Sequence, residues 1–127
     1  MSLIHEPKFL LNVSLDVSSE VEARLNEVYD QEHVPALLNV PGVVSIQRYR
    51  RQHLKLALGG SIRDLVFEAE PMYSTLYEVE SPEVLVSAAW AEAVEMGSWP
   101  AEIRPFTRNR RHTLHKLING QRNPAPK

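Results

Sequence analysis

Residues 8–53, KFLLNVSLDVSSEVEARLNEVYDQEHVPALLNVPGVVSIQRYRRQH, decide the fold. Phe9, Leu11, Val13 and Leu15 recur at period two, the spacing of one face of a strand. That spacing predicts a strand over Lys8–Leu15, with Leu10, Asn12 and Ser14 on a half-polar opposite face. Ser18-Ser19-Glu20-Val21-Glu22 reads as a helix start, because Ser19 and Glu22 fit the S-x-x-E box in which each side chain satisfies a free backbone N–H. Val21, Leu25, Val28 and Tyr29 follow at helical spacing. Pro35 is expected to break this helix: it has no N–H for the carbonyl of Gln31 and drives Val34 out of the helical region. Pro41-Gly42 marks a turn. Val43–His53 starts apolar and β-branched, becomes basic, and predicts a second strand.

The remainder repeats the same grammar. Leu54–Pro71 is a long connection containing Gly59-Gly60, and its pattern fits a short helix and a hairpin extension equally. Met72–Glu80 puts Tyr73, Thr75, Tyr77 and Val79 on one face of a third strand. Ser81-Pro82-Glu83 supplies a cap, a proline at the first helical position and an acid in the first turn. The helix expected there runs from Val84 to Met96 and stops at Gly97. Glu102–Arg110 predicts a fourth strand, with Pro105 placing it at an edge. The order is β-α-β-β-α-β, the ferredoxin-like arrangement of an α+β domain: a four-stranded antiparallel sheet with two helices on one face. Residues 1–118 are expected to form this single domain, and 119–127, proline-bearing and almost without apolar residues, a flexible tail. The uncovered sheet face is partly apolar. Its expected cover is a second copy of the same sheet, a homodimer through the open face.

Composition narrows the function classes. The 127 residues are 43% hydrophobic and 24% charged, with a formal charge of −2, which speaks against a dedicated nucleic-acid or anionic-membrane binder. Cysteine is absent. Disulfides, thiolate metal sites and cysteine nucleophiles therefore fall away together. There is no signal-peptide pattern and no apolar run approaching the ~20 residues of a membrane span, so a cytoplasmic location is expected. Nucleotide-binding and serine-hydrolase motifs are missing. The third strand lacks the basic-Gly-aromatic pattern with which RNA-recognition modules stack bases. Arg108–His112 is accordingly read as a solvated chain end, or as a phosphate or carboxylate contact. His112 and His115 are three apart, a spacing that would suit one helix face, but no third ligand is near in sequence, so no metal and no cofactor are expected.

The most distinctive run is Tyr29-Asp30-Gln31-Glu32-His33-Val34-Pro35, followed by Val40-Pro41-Gly42. It resembles the first-helix segment of the EthD-like family within the dimeric α+β barrel superfamily. There an acid, a histidine, a proline and a Val-Pro-Gly turn lead into the second strand, matched here by Asp30, His33, Pro35 and Val40-Pro41-Gly42. The resemblance extends loosely from Phe9 to about Phe106. It implies a dimer and a small cofactor-independent enzyme, acting on a hydrophobic carbonyl-bearing molecule bound between helix and sheet. A dimeric binding or accessory protein without turnover is the alternative reading.

His33 is the candidate acid/base, since imidazole titrates nearest neutrality. Asp30, three residues earlier, is expected to accept a ring N–H and fix the tautomer. The helix end and neighbouring acids are expected to favour the protonated form. The bland alternative is a surface or interface histidine bonded to a carboxylate. Tyr29, Arg48, Tyr73, Tyr77 and Trp99 are the candidate substrate contacts. They supply hydroxyls, a guanidinium and a ring cap; the competing readings are a solvated edge for Arg48, ordinary packing for Trp99, and core or interface packing for the tyrosines.

Overall fold

The computed structural model describes residues 9–125. Phe9–Val17 forms β1, Val43–Arg50 β2, Leu54–Leu58 β3, Ser61–Leu65 β4, Tyr73–Val79 β5 and Thr107–Lys116 β6. Four of these make one antiparallel sheet in the order β2-β5-β1-β6, as the ferredoxin-like topology requires. Period-two alternation does the sorting. Leu11 pairs with Tyr77, Val13 with Thr75 and Leu15 with Tyr73, and the side chains of all six point to the helix layer. Leu10, Asn12 and Ser14 face the other way, where the Ser14 and Ser74 hydroxyls meet at 3.0 Å.

Helix α1 spans Glu22–Val28, with Leu25 and Val28 fully buried. The expected Ser19–Glu22 box is not made. The helix begins at Glu22 without a side-chain cap, and the Glu22 carboxylate accepts instead from the Tyr73 hydroxyl across the sheet. Pro35 does not break the helix either. Tyr29–His33 forms a π-helical turn, in which the Val34 N–H reaches the Tyr29 carbonyl five residues back. That one-residue shift makes Pro35 the second residue of α2 (Val34–Leu38), a first-turn position where no amide partner is needed.

The undecided connection is a hairpin. Gly59 and Gly60, both at positive φ (64° and 87°), make the two-residue turn joining β3 to β4. The second helix is shorter than its sequence suggests. Pro82–Val86 is a 3₁₀ turn that Ser81 does not cap. Ser87 then adopts an extended backbone and caps α3 (Ala88–Ala93), its Oγ accepting the Trp90 N–H at 3.1 Å. Gly97 ends this region at φ 67°.

The fourth sheet strand starts later than expected. Trp99–Ile103 is a second π-helical turn and Arg104–Phe106 a 3₁₀ turn, so Pro105 lies before the strand and not in it. Trp99 and Ile103 are buried against α1, and a helical turn brings both to one side. β6 then occupies the sheet edge and carries Arg108–His112, which are strand residues and not a chain end. Because they lie on a strand, His112 (opposite Val13) and His115 (opposite Leu10) point to opposite faces.

The core falls into two clusters. One joins Leu15, Leu25, Val28, Tyr29, Tyr73, Trp99 and Ile103. The other joins Leu37, Val40, Tyr77, Val79, Val84 and Ala93. Packing stops short of filling the seam between them.

Candidate active site

The seam holds a half-enclosed cavity of about 200 Å³, with members of both clusters in its walls. Its floor is Leu11, Val13 and Leu15 of β1. Its walls are aromatic: Tyr29 and His33 from the first π-helical turn, Tyr77 from β5, Trp90 from α3 and Trp99 from the second π-helical turn.

The two π-helical turns hold each other. Glu32 accepts the Ser98 N–H at 2.7 Å and the Ser98 hydroxyl at 3.2 Å. Arg24 of α1 grips Glu102 with two hydrogen bonds at 2.9 and 3.2 Å. A Cβ added to Gly97 would lie 2.5 Å from Glu32 Oε1, so only glycine allows this approach. The clasp sets Trp99 on His33. Their rings stack with centroids 4.4 Å apart and planes 20° apart. Tyr29 meets both edge-on, at 5.3 Å from His33 and 4.9 Å from Trp99.

His33 is only 5% exposed, and its Nδ1 is sealed with no hydrogen-bond partner. Burial, with the positive charge of Arg104 adding to it, pushes its pKa down to about 4. The expectation of a protonated histidine is therefore overturned: desolvation outweighs the helix end, and the charge that acts on the ring is a cation, Arg104. Arg104 is itself held by Glu95, through two contacts of 2.9 Å, and by the Val94 carbonyl. Burial also raises the phenol pKa values of Tyr29 and Tyr77, so both remain O–H donors.

The expected partnership of Asp30 with His33 is absent too. Asp30 points outward and accepts from Arg48 at 2.9 Å. Asn26 accepts from the same guanidinium at 2.8 Å. This places Arg48 on the Tyr29 ring, 4.4 Å from its centre. Arg48 and Tyr73 line a separate polar depression of about 350 Å³ with Glu22, Asn26, Tyr49 and Arg50. Of the residues singled out in the sequence, the cavity thus gathers His33, Tyr29, Tyr77 and Trp99. Asp30, Arg48 and Tyr73 stand outside it.

Sequence reasoning passed over Trp90, Arg104, Arg110 and His112 as cavity residues. The strand assignment of 107–116 was the missing signal: with the correct period, Arg110 and His112 fall on the helix side of β6. Among the described residues no group of three or more His, Asp or Glu could hold a metal ion, and no helix is long and apolar enough to cross a membrane.

No protein-family model matches the chain, and no curated protein matches it. Solved structures do. The heme-degrader MhuD from Mycobacterium tuberculosis, with two hemes bound in its active site, is 15% identical with a TM-score of 0.56, over 87% of this chain and 95% of that one. A mutant of MhuD with two manganese protoporphyrin IX per active site gives 15% and 0.57, over 87% and 94%. An ethyl tert-butyl ether degradation (EthD) family protein from Bacillus halodurans is 10% identical with a TM-score of 0.54, over 87% and 99%. These likenesses show the fold: the chain has a ferredoxin-like α+β fold. An EthD family protein shares that fold, in agreement with the resemblance carried by Asp30, His33, Pro35 and Val40-Pro41-Gly42.

Proposed function

We infer that the seam cavity binds a small, ring-bearing carbonyl compound, and that His33 removes a proton next to its carbonyl. One observation carries this reading: a neutral imidazole stands in the wall of an aromatic cavity, and its sealed, unpaired Nδ1 leaves Nε2 as the nitrogen that can meet a ligand. A base must be unprotonated to act, and a pKa of about 4 leaves His33 neutral throughout the physiological range. The Tyr29 and Tyr77 phenols, kept protonated by burial, supply O–H donors for an enolate oxygen. Trp99 and Trp90 offer flat surfaces for a ring. The cavity falls below the ~300–1,000 Å³ that drug-sized ligands fill, a size that suits one or two fused rings.

The test is deuterium exchange at C1 of 2-tetralone in D₂O, followed by NMR. Wild type should exceed the buffer rate, His33→Gln should fall to it, and Asp30→Asn should resemble wild type. Exchange that is unchanged in His33→Gln refutes the role of His33.

A second reading, a binding or accessory protein without turnover, is favoured by the same low pKa, because a weakly basic imidazole is a poor proton acceptor. It predicts quenching of tryptophan fluorescence by 2-tetralone that survives His33→Ala, with no exchange. We further propose that two chains pair through the open sheet face, burying Leu10, Leu76 and the exposed Tyr49.

A further inference from the structure

The cavity mouth carries a charge with no counter-charge among the described residues. Arg104 is matched by Glu95, but Arg110 lines the cavity with no carboxylate in ion-pair range and no hydrogen bond among the described residues. His112, two residues on, lines the same side. No aspartate or glutamate lines this cavity.

The placement of Arg110 is built into the strand. The β1–β6 register shifts between Ser14 and Asp16: Ser14 faces Arg111 and Asp16 faces Arg108, leaving Asn109 and Arg110 together opposite Leu15. Asn109 absorbs this bulge in a left-handed conformation, φ 52°. Its amide donates to Asp16 at 3.0 Å and to the Ala69 carbonyl at 2.9 Å. Next to it, Arg111 leaves by the open face and pairs with Glu70. Alternation from Arg111 points Arg110 to the helix side, above the apolar floor, while Asn109 takes up the extra residue of the bulge. The unpaired guanidinium thus stands at the rim of an aromatic cavity whose depth holds a neutral base.

Resting on the reading of this cavity as a ligand site, we propose that its ligand is an aromatic or ring-fused carboxylic acid. The carboxylate is gripped at the mouth by Arg110, with His112 beside it, and the ring lies between Trp99 and Trp90. Arg110 then selects acids over their neutral esters. A charge-assisted pair of this kind is worth roughly ten- to a hundredfold in affinity.

The experiment titrates the chain with 2-naphthoate and, separately, with methyl 2-naphthoate, reading tryptophan fluorescence. Wild type should bind the acid at least about tenfold more tightly than the ester. Arg110→Gln should bring the acid down to the ester and leave the ester unchanged. Its melting temperature should match wild type, since the residue is exposed and makes no bond among the described residues. Arg110→Lys should restore part of the preference, and added salt should erode it in wild type alone. Acid and ester binding alike, with Arg110→Gln altering neither, overturns the acid preference while leaving the cavity reading intact. Failure of both probes to bind at millimolar concentration overturns the two together.

Discussion

Acidification should destabilise this protein through His33 specifically. The imidazole is 5% exposed, its Nδ1 has no partner, and its pKa falls from 6.5 to about 4 on folding. Below pH 6.5 the unfolded chain takes up a proton that the folded chain refuses, so stability drops as pH falls. The loss begins near 6.5 and levels off once the folded form also titrates, near 4. At about 1.4 kcal/mol per pKa unit, the His33 contribution amounts to roughly 2 kcal/mol by pH 5 and about 3 by pH 4. His33→Phe removes the titration and keeps a ring on Trp99. It also removes an unpaired buried nitrogen, so the variant should equal or exceed wild type by about 1 kcal/mol at pH 7. Urea unfolding of both proteins from pH 7.5 to 4 supplies the assay, with every other titrating group common to the pair. The stability difference should widen in favour of His33→Phe as pH falls through this window. Parallel curves would mean that His33 meets water or a partner in solution, and the reasoning from desolvation would fail.

Four further outcomes follow from the same geometry. Gly97→Ala places a Cβ 2.5 Å from Glu32 at φ 67°, and should cost roughly 1–3 kcal/mol in chemical unfolding while loosening the Trp99 loop. Ser87→Ala removes the cap of α3 and should cost about 1 kcal/mol in the same measurement. If His33 is the base in 2-tetralone exchange, the acid limb of the rate profile should fall near pH 4, not near 6.5; a midpoint near 6.5 would contradict a buried base. Light scattering on a size-exclusion column should give twice 14.5 kDa, and a monomer at micromolar concentration would refute pairing through the open sheet face.

The sheet was legible because its signal is local and repeated. Tyr73, Thr75, Tyr77 and Val79 alternate cleanly, and all four are buried in β5. The errors cluster where tertiary packing reassigns a local preference. Glu22 suits a capping box, but the Tyr73 hydroxyl competes for its carboxylate. Pro35 is a helix breaker by its chemistry, yet a π-helical turn moves it to a first-turn position that tolerates it. Residues 102–106 have strand-like spacing, but burial of Trp99 and Ile103 against α1 folds them into helical turns. That misreading displaced the fourth strand, and the assignment of Arg110 and His112 went with it.

The site was half legible for a related reason. The four-residue spacing of Tyr29 and His33 puts both on one helical segment, and their rings meet at 5.3 Å. It could not anticipate which way the segment turns. Counting three residues from Asp30 to His33 suggested a pair, because neighbours at that spacing share a helix face. In a π-helical turn that spacing no longer aligns them, and Asp30 swings out to Arg48 while His33 turns in to Trp99. The consequence is chemical. A carboxylate beside His33 would have raised its pKa; in its absence, burial and Arg104 lower it. One extra residue in a helical turn thereby separates a protonated acid from a neutral base. Removing that cation, as in Arg104→Gln, should lift the His33 pKa above 4, measurable by NMR titration of the ring; an unchanged value would show that desolvation alone sets it.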